Sequence, residues 1–323
     1  MNNYQNIFTN DKSFEEKALA AFHFQAVNNP LYKKFIETLH TDVSSVKKIT
    51  QIPFLPISFF KTHDVKLNDG KDYFIAFSSS GTEGKQSLHF VRDIQLYIES
   101  FSRSFEMFYG DIKDYCFLAL LPSYLEREGS SLVYMCDDLI RKTNHPLSGF
   151  YLDDLETLYQ QLQWLKANNQ KTILIGVTYA LLDMAAQFPM EFPELIIMET
   201  GGMKGKRKEM IREEVHEILK GAFHVDKIHS EYGMTELLSQ GWSHGDGLYQ
   251  APHWMRILVR NINGPMEVHE TGKGGINVID LANIYSCPFI ATQDLGTVHA
   301  DFSFTVNGRF DNSDLRGCNL MIV

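Results

Sequence analysis

At 323 residues and 44% apolar side chains, the chain can fill a sizeable core without disulfide or metal staples. Its 40 acidic against 30 basic side chains give a formal charge of -10, which disfavours nucleic acid and anionic lipid as general partners. Cys116, Cys136, Cys287 and Cys318 share no C-x-x-C spacing, so neither a zinc cluster nor a disulfide framework is indicated.

The N-terminal stretch MNNYQNIFTNDKSFEEK lacks the charged start and apolar run of a signal peptide. No later run reaches the ~20 apolar residues of a membrane helix. The expectation is a cytoplasmic protein without a membrane span. Residues 13 to 40 carry apolar side chains at helical spacing, interrupted by Asn29 and Pro30, which predicts two helices. ITQIPFLPISFFKTHDV holds two prolines in an apolar stretch and predicts an extended strap against the core. DYFIAF predicts a strand leading into SSSGTEGKQS at 78 to 87. CFLALL, KTILIGV and ELIIMET predict three more strands, with amphipathic helices over 153 to 166 and 205 to 220. Beyond about residue 240, short runs such as RILVRN, INVIDL and FSFTV alternate with NG, TG and GG turn signals. The predicted fold class is α/β: a mainly parallel, doubly wound sheet with a smaller β-rich C-terminal subdomain. The predicted organisation is an N-terminal helical and extended segment at 1–70, an α/β core at 71–240 and the β-rich part at 241–323.

Ligands of open sheets sit beyond the carboxyl ends of the strands, so the loops there carry the functional reading. SSSGTEG offers small residues, hydroxyls and glycines whose amides can curl around phosphate, or it is an ordinary polar turn. It is not a Walker loop, because Ser79 and Gln86 replace the required Gly and Ser or Thr. ELIIMET runs into the glycine pair Gly201 and Gly202, where a flat base could lie against backbone, or which is a plain strand-to-helix turn. SEYGMTE brings Tyr232, Gly233, Thr235 and Glu236 together, an aromatic face with a hydroxyl and a carboxylate suited to a base, a phosphate and Mg²⁺. TQDLGTV predicts Asp294 in a turn, and NGRFDNSDLRG predicts Arg309 and Asp311 in another; a carboxylate suits ribose hydroxyls and an arginine suits phosphate or ribose.

The ordered set SSSGTEG, GG, SEYGMTE, TQDLG and GRFDNSDLRG, spread over residues 78 to 317, resembles the signature series of the adenylate-forming enzymes, closest to the phenylacetate–CoA ligase branch. IPFLPISFFKTHDV, LLPSYLEREGSSLVYM and the ending DLRGCNL are similar to the acyl-protein synthetases, which activate fatty acids for bacterial luminescence reductase complexes. This resemblance implies ATP-dependent activation of a carboxylic acid, of the fatty type, to acyl-AMP, followed by transfer to a thiol. It assigns Ser80, Gly81, Thr82 and Gly84 to the ATP phosphates and Tyr232 to adenine beside Gly201 and Gly202. It assigns Thr235 to the α-phosphate, Glu236 to Mg²⁺, Asp294 to the ribose with Arg309 assisting, and Cys318 to the acyl thioester. An acyl-CoA reductase-like protein or an acyl carrier is the implied partner.

Two features depart from the family pattern. Glu83 stands where a second Thr is usual, a carboxylate beside the phosphates unless it binds metal. The sequence also stops at Val323, where the family continues into a small mobile domain bearing a catalytic lysine; that domain is expected to be absent here, so that adenylation is slow, uses another cation such as Lys85, Lys204 or Lys206, or depends on a partner. Two alternatives therefore stand beside the ligase reading: a catalytically weak nucleotide- or acyl-binding subunit of a reductase or transferase complex, and an acyl-CoA ligase. The 12 histidines, His224, His229, His244 and His253 among them, show no metal-ligand spacing, and no G-x-S-x-G elbow supports a serine hydrolase.

Overall fold

A computed structural model describes residues 7–9, 11–79, 85–122, 129–201 and 210–310. The chain divides into two compact units, one combining Met1–Asp72 with His253–Val323 and the other formed by Tyr73–Pro252. Among the described residues no helix is long and apolar enough to cross a membrane.

The first unit opens with α1 (Phe14–Asn28) and α2 (Pro30–Thr38). Ser13 and Glu16 form a reciprocal capping box at the start of α1: the Ser13 hydroxyl accepts from Glu16 N at 3.2 Å and the Glu16 carboxylate from Ser13 N at 2.8 Å. Asn29 ends one helix and caps the next, its side-chain Oδ1 accepting from Tyr32 N with Pro30 at the first helical position. Buried amides then pin both helices: Gln25 Nε2 donates to Ile284 O at 2.6 Å and Asn29 Nδ2 to Ser286 O at 2.7 Å. The predicted strap is more structured than expected. It holds the two-residue strand β1 (Leu55–Pro56) and the single-turn helix α3 (Phe59–Thr62). Pro56 lacks an N–H, so β1 stays short, and pairing passes on through Ile57 N to Ala291 O at 2.9 Å.

The second unit starts with the hairpin of β2 (Ile75–Ser78) and β3 (Leu88–Val91), followed by α4 (Ile94–Tyr109). Then strands and helices alternate: β4 (Cys116–Leu120), α5 (Ser131–Thr143), β5 (Gly149–Phe150), α6 (Leu155–Ala167), β6 (Thr172–Val177), α7 (Thr178–Gln187), β7 (Ile196–Thr200), α8 (Arg212–Phe223) and β8 (His229–Tyr232). Two antiparallel strands, β9 (Gly241–Ser243) and β10 (Leu248–Gln250), complete the order β10-β9-β8-β7-β6-β4-β5. β4, β6 and most of β7 are buried on both faces, which is why they read as continuous apolar runs. The five parallel strands have the doubly wound arrangement in which the fold direction reverses between β4 and β6.

The chain returns to the first unit as an antiparallel sheet of β11 (Met255–Arg260), β12 (Val268–His269), β13 (Gly272–Asp280), β14 (Phe289–Val298) and β15 (Phe304–Arg309). The order is β12-β11-β13-β14-β15. β14 takes β1 along its first half, with Leu55 opposite Ile290, and β15 along its second, with Val298 opposite Phe304. Asp294 and Arg309 lie in strands and not in the predicted turns: Asp294 is inside β14 and Arg309 ends β15, directly opposed in register. The glycines that suggested turns are taken into the ladder instead: Leu295 opposes Gly308 and Gly296 opposes Val306, leaving Asn307 as the extra residue of a bulge on β15, and at Gly296 a Cβ would come within 2.3 Å of Thr305 O.

Candidate functional site

The phosphate-loop candidates Ser80, Gly81, Thr82 and Gly84 lie outside the described residues, but the frame that presents them does not. β2 and β3 flank the loop, and its base is closed where Ser79 N donates to Ser87 O at 3.1 Å and Ser87 N donates to the Ser79 hydroxyl at 2.9 Å. Ser78 N also donates to Gly129 O at 2.8 Å, which ties the end of β2 to the chain two residues before α5. Lys85, on the far side of the loop, is exposed.

Gly201 and the SEYGMTE segment sit at the carboxyl ends of neighbouring strands β7 and β8. Gly201 is exposed and adopts φ +68°, the left-handed conformation glycine tolerates, and its carbonyl accepts from the Thr178 hydroxyl at 3.1 Å. Gly202, Lys204 and Lys206 lie outside the described residues. Tyr232 is 8% exposed and packs edge-on to Tyr249 at 5.9 Å between ring centres. Beyond it, Leu237 N donates to Met234 O at 3.0 Å, closing a turn with Thr235 and Glu236 at its centre. Glu236 is buried, and Thr235 is half-buried.

Three groups here escaped the sequence reading. Glu231 precedes Tyr232; burial pushes its carboxyl up to about 7, although the Thr200 hydroxyl donating at 2.7 Å works the other way. Its side chain lies over Gly233, where a Cβ would come within 2.2 Å of Glu231 Oε1. Glu199, buried in β7, gathers Arg212 Nε at 3.5 Å, His216 Nε2 at 3.3 Å, the Ser230 hydroxyl at 3.3 Å and the Thr178 hydroxyl at 3.5 Å. His89, buried in β3, donates from Nδ1 to the Thr235 carbonyl at 2.8 Å. A carboxylate inside an otherwise apolar strand was the available signal for Glu199. Between the segment that follows β5 and helix α7 lies a cavity of about 700 Å³, lined by Pro122, Leu152, Tyr179 and Phe188 with Asp153 and Asp183.

In the first unit, Asp294 is buried and pairs with Arg309, Oδ1 to Nε at 3.2 Å, while the Arg309 side chain is 70% exposed. Behind Asp294, its N–H donates to the Thr292 hydroxyl at 3.1 Å, and that hydroxyl donates to Ile276 O at 2.9 Å. Arg260 completes the support, donating to Ile276 O at 2.7 Å, Asn277 Oδ1 at 2.8 Å and Thr292 O at 2.5 Å. Asp311 and Cys318 lie outside the described residues. Cys116, Cys136 and Cys287 are buried, and desolvation raises each thiol, to about 11 for Cys116 and about 12 for Cys287. Among the described residues no group of three or more His, Cys, Asp or Glu side chains is arranged to hold a metal. His229 meets the Tyr109 hydroxyl at 3.2 Å and His253 meets Phe8 O at 3.1 Å.

No protein-family model matches the chain, and no curated protein matches it by sequence. Solved structures do share its fold. ATP-bound MatB from Rhodopseudomonas palustris aligns with a TM-score of 0.54 at 16% identity, over 75% of this chain and 49% of that one. An open conformation of 2-hydroxyisobutyryl-CoA ligase in complex with 2-HIB-AMP and CoA aligns at 0.63 and 12% identity, over 92% of this chain and 74% of that one. The same ligase in its postadenylation state aligns at 0.64 and 12% identity, over 93% and 67%. The chain spans about half the length of MatB.

Proposed function

We propose that this chain activates a carboxylic acid with ATP to give acyl-AMP and pyrophosphate, then passes the acyl group to a thiol. The observation that carries the reading is the coincidence of motif order and fold: Gly201 and SEYGMTE fall at the carboxyl ends of adjacent parallel strands, where a doubly wound sheet takes its ligand. In this reading the substrate carboxylate oxygen attacks the α-phosphorus, the α–β phosphoanhydride bond breaks, and pyrophosphate leaves. Catalysis is positioning and charge neutralisation, with no side-chain base needed. Thr235 contacts the α-phosphate, Tyr232 and Gly201 border the adenine, and Asp294, with Arg309 assisting, holds the ribose hydroxyls. Ser80, Gly81, Thr82 and Gly84 wrap the outgoing phosphates. Glu236 is the Mg²⁺ ligand; a single carboxylate suits an ion carried mainly by nucleotide phosphates, and Mg²⁺ supplies charge neutralisation there.

The acid in this reading is a fatty acid, and the acyl acceptor is Cys318, whose neighbour Arg316 favours a thiolate. The raised thiols of the three buried cysteines favour this choice, since a protonated, water-excluded thiol is a poor nucleophile. In the second step the thiolate attacks the acyl carbon and AMP leaves. An acyl-CoA reductase-like protein or an acyl carrier would receive the acyl group next. The experiment is ATP–pyrophosphate exchange across short to long acids, with labelled fatty acid to follow the thioester. Exchange is expected with medium or long chains, together with a hydroxylamine-sensitive label on wild type and none on Cys318→Ser. Absence of both nucleotide binding and exchange would remove the ligase reading, and label persisting on Cys318→Ser would remove only the acceptor.

A further inference from the structure

The hairpin that frames the phosphate loop also reaches the SEYGMTE segment. His89 stands two residues past Ser87, whose contacts with Ser79 close the base of the loop. It is 1% exposed, and its Nδ1–H donates to Thr235 O at 2.8 Å. Thr235 and Glu236 are the two central residues of the turn closed by Leu237 N to Met234 O. Type I and type II turns differ mainly by rotation of the peptide between those two residues, and the Thr235 carbonyl belongs to that peptide. A donor fixed on another element and bonded to that oxygen therefore selects one rotational state. The backbone torsions it fixes at Thr235 and Glu236 also set the directions of their side chains.

We propose that His89 is a positioning residue that clamps the Thr235–Glu236 peptide and so sets how the Thr235 hydroxyl and the Glu236 carboxylate meet the nucleotide. The role rests on the adenylation reading for its consequence, although the clamp itself is a property of the free protein. Burial lowers the imidazole to about 4, so His89 is neutral near pH 7, with the proton on Nδ1 as the carbonyl contact requires. The clamp is then constant across the neutral range. It also links β3 to the turn.

Two variants separate positioning from simple packing. His89→Leu keeps apolar bulk and removes the donor, whereas His89→Asn offers an amide N–H close to the lost Nδ1. The exchange kcat of His89→Leu should fall by on the order of 10- to 100-fold, the scale of a displaced catalytic group, with ATP KM changing less than kcat. His89→Asn should recover most of that loss although it fills the core less well. Wild-type kcat in His89→Leu would overturn the proposal, as would losses in both variants that follow their melting temperatures. Should the wild-type chain show no exchange with any acid, the adenylation reading fails by itself. The clamp is then judged by the amide resonance of Glu236: displacement in His89→Leu and return in His89→Asn support it, and an unmoved resonance overturns it.

Discussion

The α/β unit and the β-rich unit hold their candidate residues by different means. Around Tyr232, Thr235 and Glu236, position depends on buried polar side chains from separate elements: His89 on β3, Thr200 on β7, and Glu199 with its partners on α7, α8 and β8. Around Asp294 and Arg309, position depends on ladder register, with the two residues opposed on adjacent antiparallel strands. Side-chain networks titrate and fail when one member is removed, because the remaining partners stay buried and unsatisfied. A ladder is insensitive to most side chains, but fails where a side chain is inserted into the space between strands.

The largest effect should come from the network. Glu199→Ala strips a buried carboxylate from Arg212, His216, Ser230 and Thr178 and should cost ~3–5 kcal/mol, the scale for removing one partner of a buried charge pair. Urea unfolding measures it, as a lower midpoint at unchanged m-value. A loss below about 1 kcal/mol would mean that apolar packing around β7, and not this carboxylate, fixes the strand ends. The ladder counterpart is Gly296→Ala, whose new Cβ would meet Thr305 O and Ile276 Cδ1, the latter at 2.7 Å. Overpacking of this kind costs roughly 1–3 kcal/mol. The same substitution at Gly264, whose nearest neighbour is 3.8 Å away, should be nearly silent and serves as the control.

These differences also explain which parts were legible. CFLAL and TILIGV announce themselves because parallel strands buried on both faces are continuously apolar, and α1 and α2 because Ser13, Glu16, Asn29 and Pro30 are termini signals. Asp294 and Arg309 read as turn residues but lie in strands: the glycines that suggest turns, Gly296 and Gly308, are accommodated within the paired strands. His89 gave no local sign, since its partner lies 146 residues away, and in LHFV it is just one position of an alternating strand. Glu231 sits beside a motif residue, but nothing in SEY reveals the desolvation that raises its carboxyl.

A pH comparison sharpens the contrast, because the strong shifts near the α/β site have opposite signs. Burial lowers His89 to about 4 from its ordinary 6.5, so between these values the unfolded chain binds the extra proton, and stability rises with pH. Glu231 rises to about 7 from 4.5, so between those values the folded chain binds the extra proton, and stability falls with pH. From about 4.5 to 6.5 the two oppose each other. Glu231→Gln should therefore gain stability relative to wild type as pH rises through this window, by up to ~1.4 kcal/mol per pH unit, one proton's worth. Melting curves from pH 4.5 to 7.5 decide it; a constant difference between the two proteins would mean that Glu231 stays ionised when folded.

The smallest stability effect should fall on the ladder pair. Arg309 and Asp294 meet at 3.2 Å, but the arginine is largely in water, where solvent and salt screen the attraction and ordering a long side chain offsets part of it. Register holds the two strands whether or not the ion pair forms, because the backbone ladder from Asp294–Arg309 to Val298–Phe304 does not depend on either charge. Arg309→Gln should thus change unfolding free energy by only ~0.2–1 kcal/mol, less still in 1 M salt. A double-mutant cycle with Asp294→Asn isolates the pair itself, and a coupling well above 1 kcal/mol would show that this arrangement is held by charge after all. ATP affinity is the independent readout. Under the proposed function, Asp294→Ala weakens ATP by ~1.5–3 kcal/mol while the sheet stays intact, since the carboxylate's bonds to ribose hydroxyls are lost but the ladder is not. A variant that melts far lower yet binds ATP unchanged would make Asp294 a strut of the sheet and leave the ribose without its assigned partner.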